Sequence, residues 1–271
     1  MISLNTNATS LMVQKHLSKA TQGINRCIEQ LTTGYRINHP EDDPANYSIM
    51  KQMESKLSSL NVAQDNLAIG SNMLETASDS ADLIYNHVTR IRDLCMQASN
   101  GTYGESSINA IKAEIQGRLD EINRIYESTE FNGRKLFTSS EIGIQSGTDS
   151  SESSRIKVNT GLDIERITSV DELDVGSADV LDRLDGILGN ITDYQVRIGA
   201  SQNRLEFAME SNEITANNLT SSLSTIRDAD IAKVSSELIR YQILQQACAT
   251  LLATANQMPA IALQLLQGVK R

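Results

Sequence analysis

Apolar residues recur at every seventh position from Met53 through Leu60, Leu67, Leu74, Ala81, Val88 and Cys95. A second series follows three residues behind, at Ala63, Gly70, Ala77, Ile84, Ile91 and Ala98. Spacings of three and four place both series on one stripe of a single helix. No proline interrupts the stretch, so the pattern predicts one helix from Pro44 to about Asn100. At about 1.5 Å rise per residue it would run roughly 85 Å. Such a stripe needs partners from elsewhere in the chain. Asp43 before Pro44 is a good start, a capping carboxylate followed by a residue that needs no donor. Asn100-Gly101 is a favoured stop.

Other segments repeat the pattern. Val13, Leu17, Ala20, Ile24, Cys27 and Leu31 predict an opening heptad helix over 9–35, ended by Thr32-Thr33-Gly34. A polar connector, Tyr35 to Pro44, follows. Ile108, Ile111, Ile115, Leu119, Ile122 and Ile125 predict a helix beginning at Ser106 or Ser107 and broken over Ser128 to Gly133. The period then changes to two. Glu141–Gln145 and Arg155–Asn159 read as the strands of a β-hairpin with a serine-rich tip. Helix returns near Ser177, with Leu184, Ile191, Ile198, Leu205, Asn212, Leu219 and Ile226 seven apart. A closing helix from Ile231 carries Val234, Leu238, Tyr241, Gln245, Cys248, Leu252 and Ala255, and Pro259 is expected to kink or end it. The fold class is therefore mainly α. Long antiparallel heptad helices form a rod-like bundle with one small β-hairpin region at about 135–175, plus a terminal two-helix coiled coil. The expected domains are 1–40 with 227–271, and 41–226. Opening and closing helices each have one stripe to bury, so they should order only against each other or against other copies.

Composition sharpens this. Aromatic residues make up 4% of the chain and there is no Trp, which suits narrow helix-on-helix seams better than a thick globular core. Of a net charge of −10, residues 1–40 and 231–271 each contribute +3, so the middle is strongly acidic. That argues against nucleic acid as a partner. Cys27, Cys95 and Cys248 have no metal or redox spacing and lie in apolar stripes, where they read as small core residues forming no disulfide. With three scattered histidines, no metal or cofactor is expected. Gly-rich phosphate loops and catalytic-triad motifs are missing from the sequence, which argues against an enzyme. Residues 1–15 lack the pattern of a secretory signal, and no apolar run is long enough to span a membrane. On those signals alone the chain would stay in the cytoplasm.

Several runs, in order, resemble bacterial flagellin over essentially the whole length. They are Ile28 to Asn38 with Asp42-Asp43, Arg90 to Leu94 with Gln97 to Asn100, and Ile115 to Ile122 leading to Phe131-Asn132-Gly133. Ile226 to Asp230, Gln242 to Ala247 and Ala255-Asn256-Gln257 follow at the other end. The resemblance implies a filament subunit exported unfolded by a type III apparatus, hence an extracellular protein without a cleavable signal. It also implies an export chaperone and a filament cap as partners, besides copies of itself. In flagellins the terminal helices pair as a coiled coil lining the central channel. The matching seam residues here are Val13, Leu17, Ile24 and Leu31 with Val234, Leu238, Tyr241 and Leu252. Gly161 to Asp174 runs almost directly into the next helix, which makes this a minimal form lacking outer domains. A hook–filament junction protein and a generic helical scaffold are the alternatives.

The resemblance also implies a receptor. Vertebrate Toll-like receptor 5 reads flagellins through an Arg, a Leu four residues later and a Glu on the next helix. Arg90, Leu94 and Glu114 match that pattern. Arg90 and Leu94 share a helix face, and both lie off the heptad seam, so both are expected to be exposed.

Overall fold

The computed structural model describes residues 7–138, 141–164, 169–170, 173, 175 and 177–268; side chains are described at those positions except 178 and 259–268. Five helices dominate it: α1 (Ala8–Thr33), α2 (Pro44–Ala98), α3 (Glu105–Ser128), α4 (Ala178–Arg227) and α5 (Ile231–Gly268). Two short antiparallel pairs lie between α3 and α4: β1 (Glu130–Phe131) with β2 (Arg134–Lys135), and β3 (Ile142–Gln145) with β4 (Arg155–Val158). Of the expected link from Gly161 to Asp174, residues 165–168, 171, 172 and 174 lie outside the described residues, as do Val269, Lys270 and Arg271 beyond α5.

Local chemistry accounts for the boundaries. The Asp43 carboxylate accepts from the Asn46 N–H at 3.1 Å, so the predicted cap forms. Gly34 ends α1 at φ 75°, and its N–H donates to the Gln30 carbonyl at 2.9 Å. Only a residue without a Cβ takes that conformation cheaply. The break after α3 holds a hairpin of its own. Asn132 and Gly133 both have positive φ, 50° and 76°, the signature of a two-residue turn whose twist matches its strands.

The chain divides into two compact units, residues 1–55 with 218–271 and residues 56–217. The division falls inside α2 and α4, rather than at the connector where the sequence pattern would put it. The first unit keeps the start of α2 because the connector is tied down on several sides. The Arg36 N–H donates to the Arg227 carbonyl at 2.6 Å, and the Ala229 N–H to the Gly34 carbonyl at 2.9 Å. The Arg227 guanidinium lies 4.1 Å over the Tyr35 ring and 3.6 Å from Glu54. Asp42 accepts from the Asn38 and His39 N–H groups and pairs with Arg26 at 3.1 Å. Partial burial of Asp42 works against its charge, but those donors outweigh it and hold its carboxyl below the usual range.

The second unit is built on the α2 stripe. Every position of both heptad series from Leu60 to Ala98 is buried. Ile111, Ile115, Leu119, Ile122 and Ile125 of α3 join the same core, as do Leu184, Ile191, Ile198 and Leu205 of α4. Ile142, Ile144, Ile156 and Val158 supply the inner face of the β3–β4 hairpin. Gly70 sits where the hairpin comes closest: a Cβ there would lie 2.6 Å from Ile144 Cδ1. Asn212, polar within an apolar series, donates to the Ser146 carbonyl at the hairpin tip at 2.8 Å. The heptad seam thus gives way to a hydrogen bond where the tip's backbone needs one.

All three cysteines are buried free thiols. Burial pushes Cys95 up to about 11. Cys27 is also raised, by burial first and then by Glu237. At neutral pH both remain protonated and act as small apolar side chains.

Candidate assembly surface

The opening and closing helices do pair, and they run antiparallel. Asn7 meets Ala255 at 2.7 Å, Ser10 meets Asn256 at 2.9 Å, and Thr21 meets Gln245 at 3.2 Å. The Tyr241 ring lies so close to α1 that a Cβ at Gly23 would fall 2.7 Å from it. Each pair sums to nearly the same residue total, as one continuous antiparallel seam requires. Cys27 and Cys248 are therefore displaced along the seam by about ten residues, roughly 15 Å at helical rise, beyond disulfide reach.

Of the expected seam residues, Ile24 and Val234 are buried; Val13, Leu17, Leu31, Leu238, Tyr241 and Leu252 are half-buried. This partial cover is what two helices can give each other.

Sequence periodicity missed a second stripe. On α5, Ile239, Ile243, Leu244, Leu251 and Met258 are all exposed, Ile243 at 60%. On α1, Leu11, Met12 and Ile28 are exposed as well, Met12 at 63%. On α5 they recur at four (Ile239, Ile243) and at seven (Leu244, Leu251, Met258), with Leu244 and Leu251 bordering the groove beside α1, so α5 is apolar around much of its circumference. A helix of that kind normally lies inside a larger assembly. Its signal in the sequence is a missing polar face, which a search for the best single stripe passes over.

The second unit exposes apolar residues in a regular row as well. Val62, Ile69 and Leu83 of α2 stand two residues past Leu60, Leu67 and Ala81, all on the outer face. Val196, Phe207 and Ile214 of α4 are exposed too.

Arg90 continues the same outer row of α2. Its Nε lies 3.6 Å from Glu114 Oε1, with the two side chains 49% and 41% exposed. Glu114 is also bonded by Arg118 at 3.1 Å. The structure therefore brings Arg90 and Glu114 together at the surface. Leu94 departs from expectation: it is 2% exposed. The reason lies in how many neighbours α2 has. A helix facing one partner buries the two seam positions of each heptad. Here α3 and α4 both contribute to the core around α2, and the buried stripe widens to flanking positions. Met73 and Leu94, each one residue before a seam position, are drawn inside. On the opposite flank Arg92 reaches α4, where it pairs with Asp185 at 2.6 Å and holds that carboxyl below its usual range.

Comparison with known proteins places this geometry. Residues 4–141 match the family model for the bacterial flagellin N-terminal helical region, and residues 181–266 that for the C-terminal helical region. A flagellin of Halalkalibacterium halodurans is 32% identical over 274 aligned positions, covering 97% of this chain and 99% of that one. A flagellin of Bacillus subtilis is 30% identical, covering 97% and 99%. Flagellin E of Vibrio cholerae is 26% identical over 376 positions, covering 98% and 100%; the alignment exceeds this chain's length because that relative carries residues this one lacks. With both family regions matched in order and full-length relatives of nearly the same size, the chain belongs to the bacterial flagellin family, in a minimal form.

Proposed function

We propose that this chain is the structural subunit of a bacterial flagellar filament and polymerises through its terminal helices. The observation that carries the reading is the second apolar stripe of α5. Ile239, Ile243, Leu244, Leu251 and Met258 cannot all face α1, and they stay exposed in the single chain. Copies of the same chain are the natural cover, because the exposed α1 residues Leu11, Met12 and Ile28 are apolar as well. Family membership supports export by the flagellar type III apparatus, with a chaperone and a filament cap as transient partners, and residence outside the cell. Among the described residues no helix is long and apolar enough to cross a membrane. The junction-protein alternative predicts a different object. Electron microscopy of the purified chain under assembly conditions should show long tubes of open-ended length; discrete rings or caps would overturn the filament reading.

A second reading concerns recognition by Toll-like receptor 5. It rests on the family pattern and on the exposed Arg90–Glu114 pair. Arg90 offers a planar fork to a partner, and Glu114 holds that fork in place. Leu94, being buried, acts beneath the surface by supporting the backbone under Arg90. Arg90→Ala should weaken binding of the receptor ectodomain to the soluble chain by roughly 1–3 kcal/mol if it is a hot spot. Calorimetry showing no binding by the wild type, or none of the expected loss for both Arg90→Ala and Glu114→Ala, would remove the site.

A further inference from the structure

A proline at position 259 favours a kink or an end to the closing helix, yet α5 continues to Gly268. A proline inside a helix has no N–H to give the carbonyl four residues earlier. In α5 that carbonyl belongs to Ala255, which is 6% exposed and so poorly placed to find water instead. A buried carbonyl without a donor is costly. Here it has one: Asn7 Nδ2, at the start of α1, donates to the Ala255 oxygen at 2.7 Å.

We propose that Asn7 is a positioning residue that supplies from α1 the hydrogen bond Pro259 withholds from α5, and that this bond docks the start of α1 at one place along α5. Both ends of the Asn7 carboxamide are committed. Its Oδ1 accepts the Ser10 N–H at 3.0 Å, capping α1, while its Nδ2 faces the carbonyl. Turning the amide over would set donor against donor and acceptor against acceptor. Ser10 Oγ reinforces the placement by donating to the adjacent Asn256 Oδ1 at 2.9 Å.

The place is unique for a chemical reason. Much of the remaining seam is aliphatic or small, and such seams tolerate sliding by one heptad. Sliding by seven would put Asn7 opposite the carbonyl of Cys248 or of residue 262. Each of those is followed four residues later by a residue with its own N–H, because the chain's other prolines are at positions 40 and 44. Ala255 is therefore the interior carbonyl of α5 that lacks a helical donor. A buried polar contact in a largely apolar seam specifies alignment as a buried Asn does in coiled coils, and here it acts together with the Gln245–Thr21 bond further along the same seam.

The bond joins two helices of one chain and is independent of what covers their outer faces. Its test is a double-mutant cycle. Asn7→Asp retains the capping oxygen and removes the donor; Asn7→Ser also retains a capping oxygen but is too short to reach Ala255. Each is made in the wild-type and in the Pro259→Ala background, where residue 259 regains its N–H. Hydrogen–deuterium exchange is followed at residues 8–14 and 252–258 of the full-length chain, both soluble and polymerised. In the wild-type background either substitution should lower protection by about tenfold. With Pro259→Ala the same substitutions should cost less than about threefold, since the carbonyl is then satisfied within α5. Equal losses in both backgrounds would make Asn7 an ordinary contact unrelated to the proline and overturn the proposal. So would no loss in the wild-type background, or no protection of residues 8–14 in either form of the wild type. Failure to polymerise, seen by microscopy, would instead tell against the filament reading.

Discussion

Deleting residues 1–35, or residues 235–271, is expected to abolish filament formation while leaving a soluble, helical chain. Each deletion removes one half of the α1–α5 pair. The surviving helix then loses its seam partner, and an isolated helix with nothing to bury its stripe is marginal in water. Loss of α5 also removes the outer stripe of Ile239, Ile243, Leu244, Leu251 and Met258, the surface left over for other copies. The second unit should be indifferent to both deletions, because its core is self-contained: Leu67, Leu74, Ile84, Ile91, Ile115 and Ile191 are 0–1% exposed within it. Circular dichroism should therefore still report a folded helical protein while microscopy shows no filaments. Tubes formed by either truncated chain would mean that the terminal pair is dispensable for assembly.

The largest single-residue effect on stability is expected at Phe137. Its ring is 2% exposed, stacked on Tyr126 at 5.6 Å and edge-on to Tyr194 at 5.8 Å. Tyr126 belongs to α3 and Tyr194 to α4, so Phe137 joins two helices through the segment between them. The backbone around it is bound into the same place: its carbonyl accepts the Leu162 N–H at 3.0 Å, and the preceding Leu136 carbonyl accepts Thr160 Oγ1 at 3.0 Å. Those bonds fix the segment that carries the ring, so it cannot shift to fill the space the ring would leave. Phe137→Ala should thus cost roughly 3–5 kcal/mol, the range for an aromatic removed from a core that collapses poorly. Phe207, 69% exposed on α4, is the control; its change to Ala should stay within about 0.5 kcal/mol in the soluble chain. Since the chain has no Trp, urea unfolding followed by tyrosine emission reports on Tyr126 and Tyr194 among few fluorophores. A shift for Phe137→Ala no larger than that of the control would show that the aromatic cluster contributes little.

What the sequence determined by itself was everything that depends on one element at a time. The heptad series of α2, the Asp43 cap, the Gly34 stop and the alternation that marks β3 and β4 all follow from side-chain period and local backbone preference. Those forces act within a few residues and leave a direct imprint on the order of amino acids. The seam of the terminal pair was legible for the same reason, since a stripe declares which side of a helix must be covered. Tertiary structure alone decided how much else is covered. Leu94 looks exposed on a helix with one partner and is buried on a helix with two. Periodicity says where a stripe is centred, while its width depends on how many neighbours gather around it. Pro259 ends a helix considered by itself and is tolerated in α5 because a donor 252 positions away in the chain reaches the carbonyl it leaves open. Such long-range compensation has no local signature. The outer stripe of α5 marks the converse case: its apolar residues are plain in the sequence, but their exposure beside α1 is a property of the packed helix pair, which period alone does not fix.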